Sequence, residues 1–211
     1  MTTLTFRSVL VLGAHTDDEF GCSGTIVRLL EEGSDVHYVA FSICEESVPE
    51  GWPKDTLDRE AREATRALGI RSDQVTIFRY RVRHFPAFRQ EILEEMVQLR
   101  QRIKPDLVLL PCLDDIHQDH QVVAREGLRA FKFSSILGYE LPMNTLSFQH
   151  ACFIALTASQ LQRKITALMK YETQQFRSYV NDEFVRGLAK VRGVQAGVEF
   201  AEAFEVLRLI A

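Results

Sequence analysis

Apolar runs alternate with amphipathic segments along most of the chain. The first run, 8–14, is continuously apolar, which is typical of a strand buried on both faces of a sheet. The next segment, 24–33, spaces its apolar residues along one face of a helix and ends at Gly33, a residue suited to a helix C-terminus. The same alternation predicts further strands at 35–43, 74–80, 105–111, 136–142 and 151–157, and further helices at 56–69, 85–104, 121–132, 158–179 and 182–193.

Strands that alternate with helices predict βαβ units, and therefore a mostly parallel sheet with helices on both faces. We expect a Rossmann-like α/β fold in which 1–211 forms one domain. Such sheets bind ligands beyond the carboxyl ends of their strands, at the point where the strand order reverses. With the strand order 3-2-1-4, the strands at 8–14 and 105–111 are neighbours there, and the active site is expected at their C-terminal ends.

Both of these strands run directly into short clusters of imidazole and carboxylate groups. The clusters consist of His15, Asp17 and Asp18 after the first strand and of His117, Asp119 and His120 after the fourth. A catalytic zinc site takes three nitrogen or oxygen ligands from the protein and keeps one position open for water. Each cluster alone is also typical of a polar loop whose Asp caps a helix. At two neighbouring strand ends, the clusters together predict a catalytic metal site.

Composition and charge narrow the class of protein. The net charge is −4 and there is no long basic run, which argues against a nucleic acid as the ligand. The four cysteines are scattered without a CxxC pair, as in proteins whose thiols stay reduced. No apolar run reaches the roughly 18 residues of a membrane span, and the N-terminal segment lacks a signal-peptide pattern. We expect a soluble cytoplasmic protein with a small-molecule partner; self-association stays open.

A nucleotide cofactor is disfavoured by the loop after the first strand. The segment 13–24 contains no GxGxxG pattern. Asp17 and Asp18 lie where a pyrophosphate would bind, and their charges would repel it.

Two motifs carry a resemblance to a known family. AHTDDE at 14–19 and HQDH at 117–120 resemble the AHPDDE and HxDH motifs of the PIG-L/LmbE-like family of zinc-dependent amino-sugar de-N-acetylases, which has a Rossmann-like fold. Segments 164–174 and 192–204 resemble the C-terminal region of the same family. Thr16 stands where the family motif usually has Pro, a change that removes no catalytic group.

The resemblance implies a role for each residue of the two motifs. His15, Asp18 and His120 would be the zinc ligands. Asp17 would be the general base that activates the attacking water. His117 would be the general acid or the oxyanion stabiliser, and Asp119 would orient it. Iron(II) or another divalent ion would fit the same ligands.

The expected activity is removal of an N-acetyl group from an amino sugar or sugar conjugate. Two alternatives remain: the same site acting on another N-acyl substrate, such as a nucleotide-linked or antibiotic-like amide, and a non-catalytic sugar-binding module. In some relatives an arginine near Arg59 contacts the sugar. Arg192 is expected either to close over the site or to pair with an acid of the segment 199–205. Many relatives place an acid near 80–85, where this chain has Arg81, Arg83 and His84. These basic groups suggest an anionic substrate.

Overall fold

Strands and helices alternate along residues 6–210, the part of the chain that the computed structural model describes. The strands are β1 (Ser8–Gly13), β2 (Asp35–Ala40), β3 (Val75–Ile77), β4 (Leu107–Pro111), β5 (Ser135–Tyr139), β6 (Cys152–Leu156) and β7 (Phe200–Arg208). The α-helices are α1 (Ser23–Glu31), α2 (Thr56–Leu68), α3 (Arg89–Ile103), α4 (Gln118–Ala130), α5 (Ala158–Leu168) and α6 (Asp182–Ala196). Short 3₁₀ turns, such as Asp18–Cys22 and Glu172–Gln174, lie between them.

The strands form one mixed sheet in the order β3-β2-β1-β4-β5-β7-β6. The five strands from β3 to β5 in that order are parallel, and β7 runs antiparallel to both of its neighbours. The predicted order 3-2-1-4 and the mostly parallel sheet are confirmed. Strand β7 was not predicted, because Glu202 and Glu205 interrupt its apolar pattern.

Helices cover both faces of the sheet, as predicted. Successive residues of β1 point to opposite faces: Val9 and Val11 join a core with α1, α2, α5 and α6, whereas Leu10 and Leu12 join a core with α3 and α4. All four side chains are fully buried. Burial on both faces explains why this strand is a continuous apolar run rather than an alternating one.

Two predicted boundaries at functional segments are wrong. The long helix at 158–179 ends at Leu168, because Tyr171 turns inward and its buried hydroxyl reaches the Thr16 carbonyl and Glu19. The chain then passes through the 3₁₀ turn Glu172–Gln174 and reaches α6 at Asp182. The loop at 112–121 is shorter than predicted, because α4 begins at Gln118.

Three expectations concern the whole chain: the lack of a membrane span, the single domain and the cytoplasmic location. No helix among residues 6–210 is both long and apolar enough to cross a membrane. That 1–211 forms a single domain stays a prediction, since 1–5 and Ala211 lie outside the described residues. The cytoplasmic location also stays a prediction.

Candidate metal centre

The carboxyl ends of β1 and β4 bring the two sequence clusters together. These strands pair directly in parallel, with Val9 beside Leu107 and Val11 beside Leu109. One cluster follows β1, and the other occupies the first turn of α4. They meet in an open cleft with about 760 Å³ of empty volume, whose walls include His15, Asp17, Asp18, His117 and His120.

Three of these side chains direct atoms that can bind a metal towards one another. His15 Nδ1 lies 2.9 Å from His120 Nε2. Asp18 Oδ1 lies 3.4 Å from His120 Nε2 and 3.7 Å from His15 Nδ1. Zinc bonds of 2.0–2.1 Å in a tetrahedral arrangement separate two ligand atoms by about 3.3 Å. The three atoms therefore fit a common metal ion, and all three residues are buried.

Carboxylates on the far side of each imidazole hold the rings in place. The Nε2 atom of His15 lies 3.1 Å from Asp119 Oδ2, and the Nδ1 atom of His120 lies 2.7 Å from Asp115 Oδ2. Such partners fix the tautomer that leaves the inner nitrogen free for a metal. Asp18 is itself held by the backbone N–H of His15, which donates to its Oδ2 at 2.8 Å.

Asp119 orients His15 rather than His117 with its side chain. Besides His15, its carboxylate accepts from the backbone N–H groups of Arg83 and Phe85. Its own backbone N–H, in contrast, donates to His117 Nδ1 at 3.2 Å. Asp119 therefore contacts His117 through its main chain, in the first turn of α4, and its carboxylate contacts His15 instead.

The two adjacent aspartates have different surroundings. Asp18 is buried, which alone would raise its pKa, but His120 and His15 outweigh this and lower it well below the usual range. Asp17 is half-buried and faces the cleft, and its side chain makes no capping hydrogen bond. Burial and the charge of Asp18 raise the pKa of Asp17. Asp17 is therefore the better proton acceptor and Asp18 the better ligand.

His117 is a neutral imidazole in this site. Burial, together with the charges of His15 and His120, lowers its pKa to about 4. Because Nδ1 accepts the backbone N–H of Asp119, the proton of the neutral ring is on Nε2. This tautomer can donate one hydrogen bond into the cleft.

Glu19, the last residue of the AHTDDE motif, does not line the cleft. Glu19 is buried and contacts the hydroxyls of Tyr171 at 2.8 Å and Tyr38 at 3.4 Å. Burial raises the pKa of Glu19 to about 8. The Tyr38 hydroxyl also donates to the carbonyls of His15 and Thr16, so Glu19, Tyr38 and Tyr171 hold the loop that carries His15 and Asp18.

Of the basic residues considered at 81–84, only Arg83 lines the cleft. Its guanidinium pairs with Glu46 at 3.1 Å, and Glu46 also binds Arg81 at 2.7 Å. His84 is exposed and does not line the cleft. The arginines of this loop are therefore partly neutralised by a local acid.

The other two expected substrate residues are not brought to the cleft. Arg59 lies on the exposed side of α2, where it contacts Thr56 and Asp55. Arg192 forms a bidentate ion pair with Glu140, with N–O distances of 2.6 and 2.7 Å, and borders a smaller cavity. Its guanidinium satisfies a buried carboxylate instead of closing the site.

Sequence reasoning missed a further wall of the cleft, formed by Met143, Asn144, Gln174, Arg177 and Tyr179. The predicted helix at 158–179 concealed the last three of them. Positions 174 and 175, where the apolar face of that helix would continue after Tyr171, are both Gln, and this interruption was the available signal.

Comparisons with known proteins give a family match and a related deacetylase. Residues 10–131 match the family model PIG-L, described as GlcNAc-PI de-N-acetylase. The "Uncharacterized deacetylase YaiS" of Escherichia coli strain K12 is 28% identical over 180 residues, covering 79% of this chain and 91% of that protein.

Solved structures share the fold at low sequence identity. The N,N'-diacetylchitobiose deacetylase from Pyrococcus horikoshii has a TM-score of 0.80 and 21% identity, covering 96% of this chain and 84% of its own. GalB, the 4-carboxy-2-hydroxymuconate hydratase from Pseudomonas putida KT2440, has a TM-score of 0.79 and 20% identity, covering 97% and 98%. Proteins with different reactions therefore share this architecture. The match over 10–131 covers more than half of the chain and includes both motifs of the candidate metal centre, so the chain belongs to the PIG-L family.

Proposed function

We propose that this protein is a metal-dependent hydrolase that removes the N-acetyl group from an amino sugar or sugar conjugate. The observation that carries the proposal is the convergence of His15 Nδ1, His120 Nε2 and Asp18 Oδ1 beside Asp17 in an open cleft. Membership of the PIG-L family supports deacetylation, and the chitobiose deacetylase supports a sugar as the first substrate to test.

His15, Asp18 and His120 would hold the ion. Two imidazoles and one carboxylate suit zinc, and they also suit iron(II) or another divalent ion. When bound, the ion would supply a Lewis acid that acidifies water and polarises an amide carbonyl. Asp119 and Asp115 keep the two imidazoles in the orientation that this requires.

Asp17 would act as the general base. Its raised pKa makes its carboxylate a stronger acceptor for the proton of the attacking water than an ordinary aspartate. The same group would then return that proton to the nitrogen of the leaving amine as the carbon–nitrogen bond breaks. The products are acetic acid, which ionises to acetate in solution, and the free amine, and Asp17 ends as a carboxylate.

His117 would stabilise the oxyanion that develops on the amide oxygen. The neutral ring with its proton on Nε2 is a hydrogen-bond donor that needs no protonation step. Of the two roles that the resemblance implies for His117, the lowered pKa favours oxyanion stabiliser over general acid.

The test combines metal content with turnover of N-acetylglucosamine and N,N'-diacetylchitobiose, measured by amine release. We expect about one zinc or other divalent ion per chain, lost together with activity in His15→Ala and His120→Ala. Asp17→Ala should retain the metal and lose at least a hundredfold in kcat, the usual contribution of a general base. Loss of metal in Asp17→Ala would reverse the assignment of Asp17 and Asp18.

Two alternatives have distinct outcomes in the same assay. If the wild type binds metal but releases no amine from either sugar, a panel of other N-acyl compounds tests the same chemistry on a different substrate. If the chain binds no metal even after zinc is added, a sugar-binding module replaces the hydrolase.

A further inference from the structure

Arg177 is a cation in the cleft whose charge the surrounding protein does not neutralise. Among residues 6–210, no carboxylate lies within 4.0 Å of its guanidinium, although it is close enough to Asp17 to lower the pKa of that group. The other arginine of the cleft, Arg83, pairs with Glu46 at 3.1 Å. Arg177 therefore differs from Arg83 in having its charge available to a ligand.

A chain of hydrogen bonds fixes the position of Arg177. Its Nε donates to Gln174 Oε1 at 2.6 Å, and Gln174 Nε2 donates to Thr173 Oγ1 at 3.0 Å. Thr173 is held by Glu60, which accepts from its hydroxyl at 2.6 Å and from its backbone N–H at 2.9 Å. Gln174, Thr173 and Glu60 are all buried, so Arg177 is anchored to the interior through its Nε atom.

The two terminal nitrogens of the guanidinium have no carboxylate partner among residues 6–210, and the charge of the group acts on the hydroxyl of Tyr179, which also lines the cleft. The Cζ atom of the guanidinium lies 5.9 Å from the ring centroid of Tyr179 and 5.4 Å from that of Phe176. A guanidinium held in this way presents parallel N–H groups that match the two oxygens of a carboxylate or phosphate.

We propose that Arg177 binds an anionic oxygen group of the substrate, a carboxylate or a phosphate ester, while the N-acyl group lies at the metal centre. This inference rests on the proposed function, because it assigns a substrate class to the same cleft. Arg177 would be a residue that determines specificity, and the Glu60–Thr173–Gln174 chain would fix the position of its charge.

Another role for Arg177 would be to act only through Asp17, by favouring its ionised form. That role predicts an equal loss of turnover for neutral and anionic substrates. Anion binding predicts a loss that depends on the charge of the substrate and appears mainly in KM.

The experiment compares three substrates with the zinc-loaded full-length chain: neutral N-acetylglucosamine, its 6-phosphate, and N-acetylmuramic acid, which carries a carboxylate. We expect the wild type to prefer at least one anionic sugar in kcat/KM by about tenfold or more, the value of a charged hydrogen bond. Arg177→Gln should abolish that preference, and Arg177→Lys should restore part of it. Arg125→Gln, an exposed arginine on α4 outside the cleft, is the matched control and should keep it.

The outcomes separate this inference from the proposed function. Cleavage of all three sugars with no preference for an anion, or a preference that Arg177→Gln leaves intact, overturns the inference alone. A preference that Arg83→Gln abolishes and Arg177→Gln does not assigns the anion to the other arginine and also overturns it. If no sugar is cleaved, the proposed function fails, and titration with inorganic phosphate then decides: equal affinity in wild type and Arg177→Gln overturns the inference as well.

Discussion

Replacing Asp115 by Asn should weaken metal binding without abolishing it and without changing the size of the side chain. The carboxylate of Asp115 is 1% exposed and accepts two hydrogen bonds, from the backbone N–H of His117 at 2.8 Å and from His120 Nδ1 at 2.7 Å. Both partners are donors when His120 presents Nε2 to a metal. An amide has only one acceptor atom, so it can satisfy only one of them.

Each orientation of the new amide has a defined cost. If the NH₂ group faces the backbone N–H of His117, two donors oppose each other in a buried place. If it faces His120, Nδ1 must become the acceptor, and the proton then moves to Nε2, the atom that should bind the metal. Loss of such an orienting partner typically lowers metal affinity by about 10- to 100-fold, or roughly 1.4–2.7 kcal/mol.

The assay is competition with a chromophoric chelator, which gives the dissociation constant of zinc for each variant. Asp114→Asn is a matched control, since Asp114 is exposed and lies one position away. Thermal unfolding of the chelated proteins checks that both variants fold. If Asp115→Asn binds zinc within twofold of Asp114→Asn, then Asp115 does not determine the state of His120, and the argument from tautomers is wrong.

Three further predictions concern stability. Glu202→Gln should lower the free energy of unfolding in urea by about 3 kcal/mol, because Lys164, which lies 2.6 Å from Glu202, becomes a buried charge without its partner. Glu199→Gln, a control at an exposed position, should change this free energy little. Thr16→Val should leave the free energy of unfolding unchanged or raise it by up to about 1 kcal/mol, because Oγ1 of Thr16 is buried and has no hydrogen-bond partner among residues 6–210. A clear loss of stability would show that Oγ1 has a hydrogen-bond partner. In the metal-free chain, burial lowers the pKa of His120 but Asp18 and Asp115 raise it to about 10, above the ordinary value of 6.5. Protonated His120 therefore stabilises the fold fully below pH 6.5, and this effect is lost as the pH rises towards 10. The urea midpoint of the chelated protein should fall over this window, while the stabilisation that added zinc provides increases. A urea midpoint that does not change with pH would contradict the raised pKa.

The central part of the fold was predictable because its signals are local and repeated. A doubly buried strand such as β1 is continuously apolar, and each amphipathic helix that follows a strand favours a parallel crossover. The positions of the two motifs then followed from the rule that ligands bind where strand order reverses. The candidate metal centre could be predicted for the same reason, because its residues directly follow β1 and β4.

The C-terminal part was not predictable from the same signals. Strand β7 contains Glu202, which is buried only because it accepts from the N–H groups of Gly24 and Thr25 at the start of α1 and pairs with Lys164. Its partners are 178 and 38 positions away, so no local pattern announces them. The early end of α5 has a similar cause, since the inward turn of Tyr171 depends on contacts with a loop 152 positions earlier.

Neighbouring residues of one type explain why spacing alone could not assign the chemistry. Asp17 and Asp18 are adjacent, yet one faces the cleft and the other faces two imidazoles, so their pKa values move in opposite directions. Asp114 and Asp115 divide in the same way between solvent and His120. In each pair the side chains are chemically identical, and only the groups around them differ. The same substitution made at both members of a pair therefore isolates the effect of the surroundings, and the two aspartate pairs are the most direct means of testing the site.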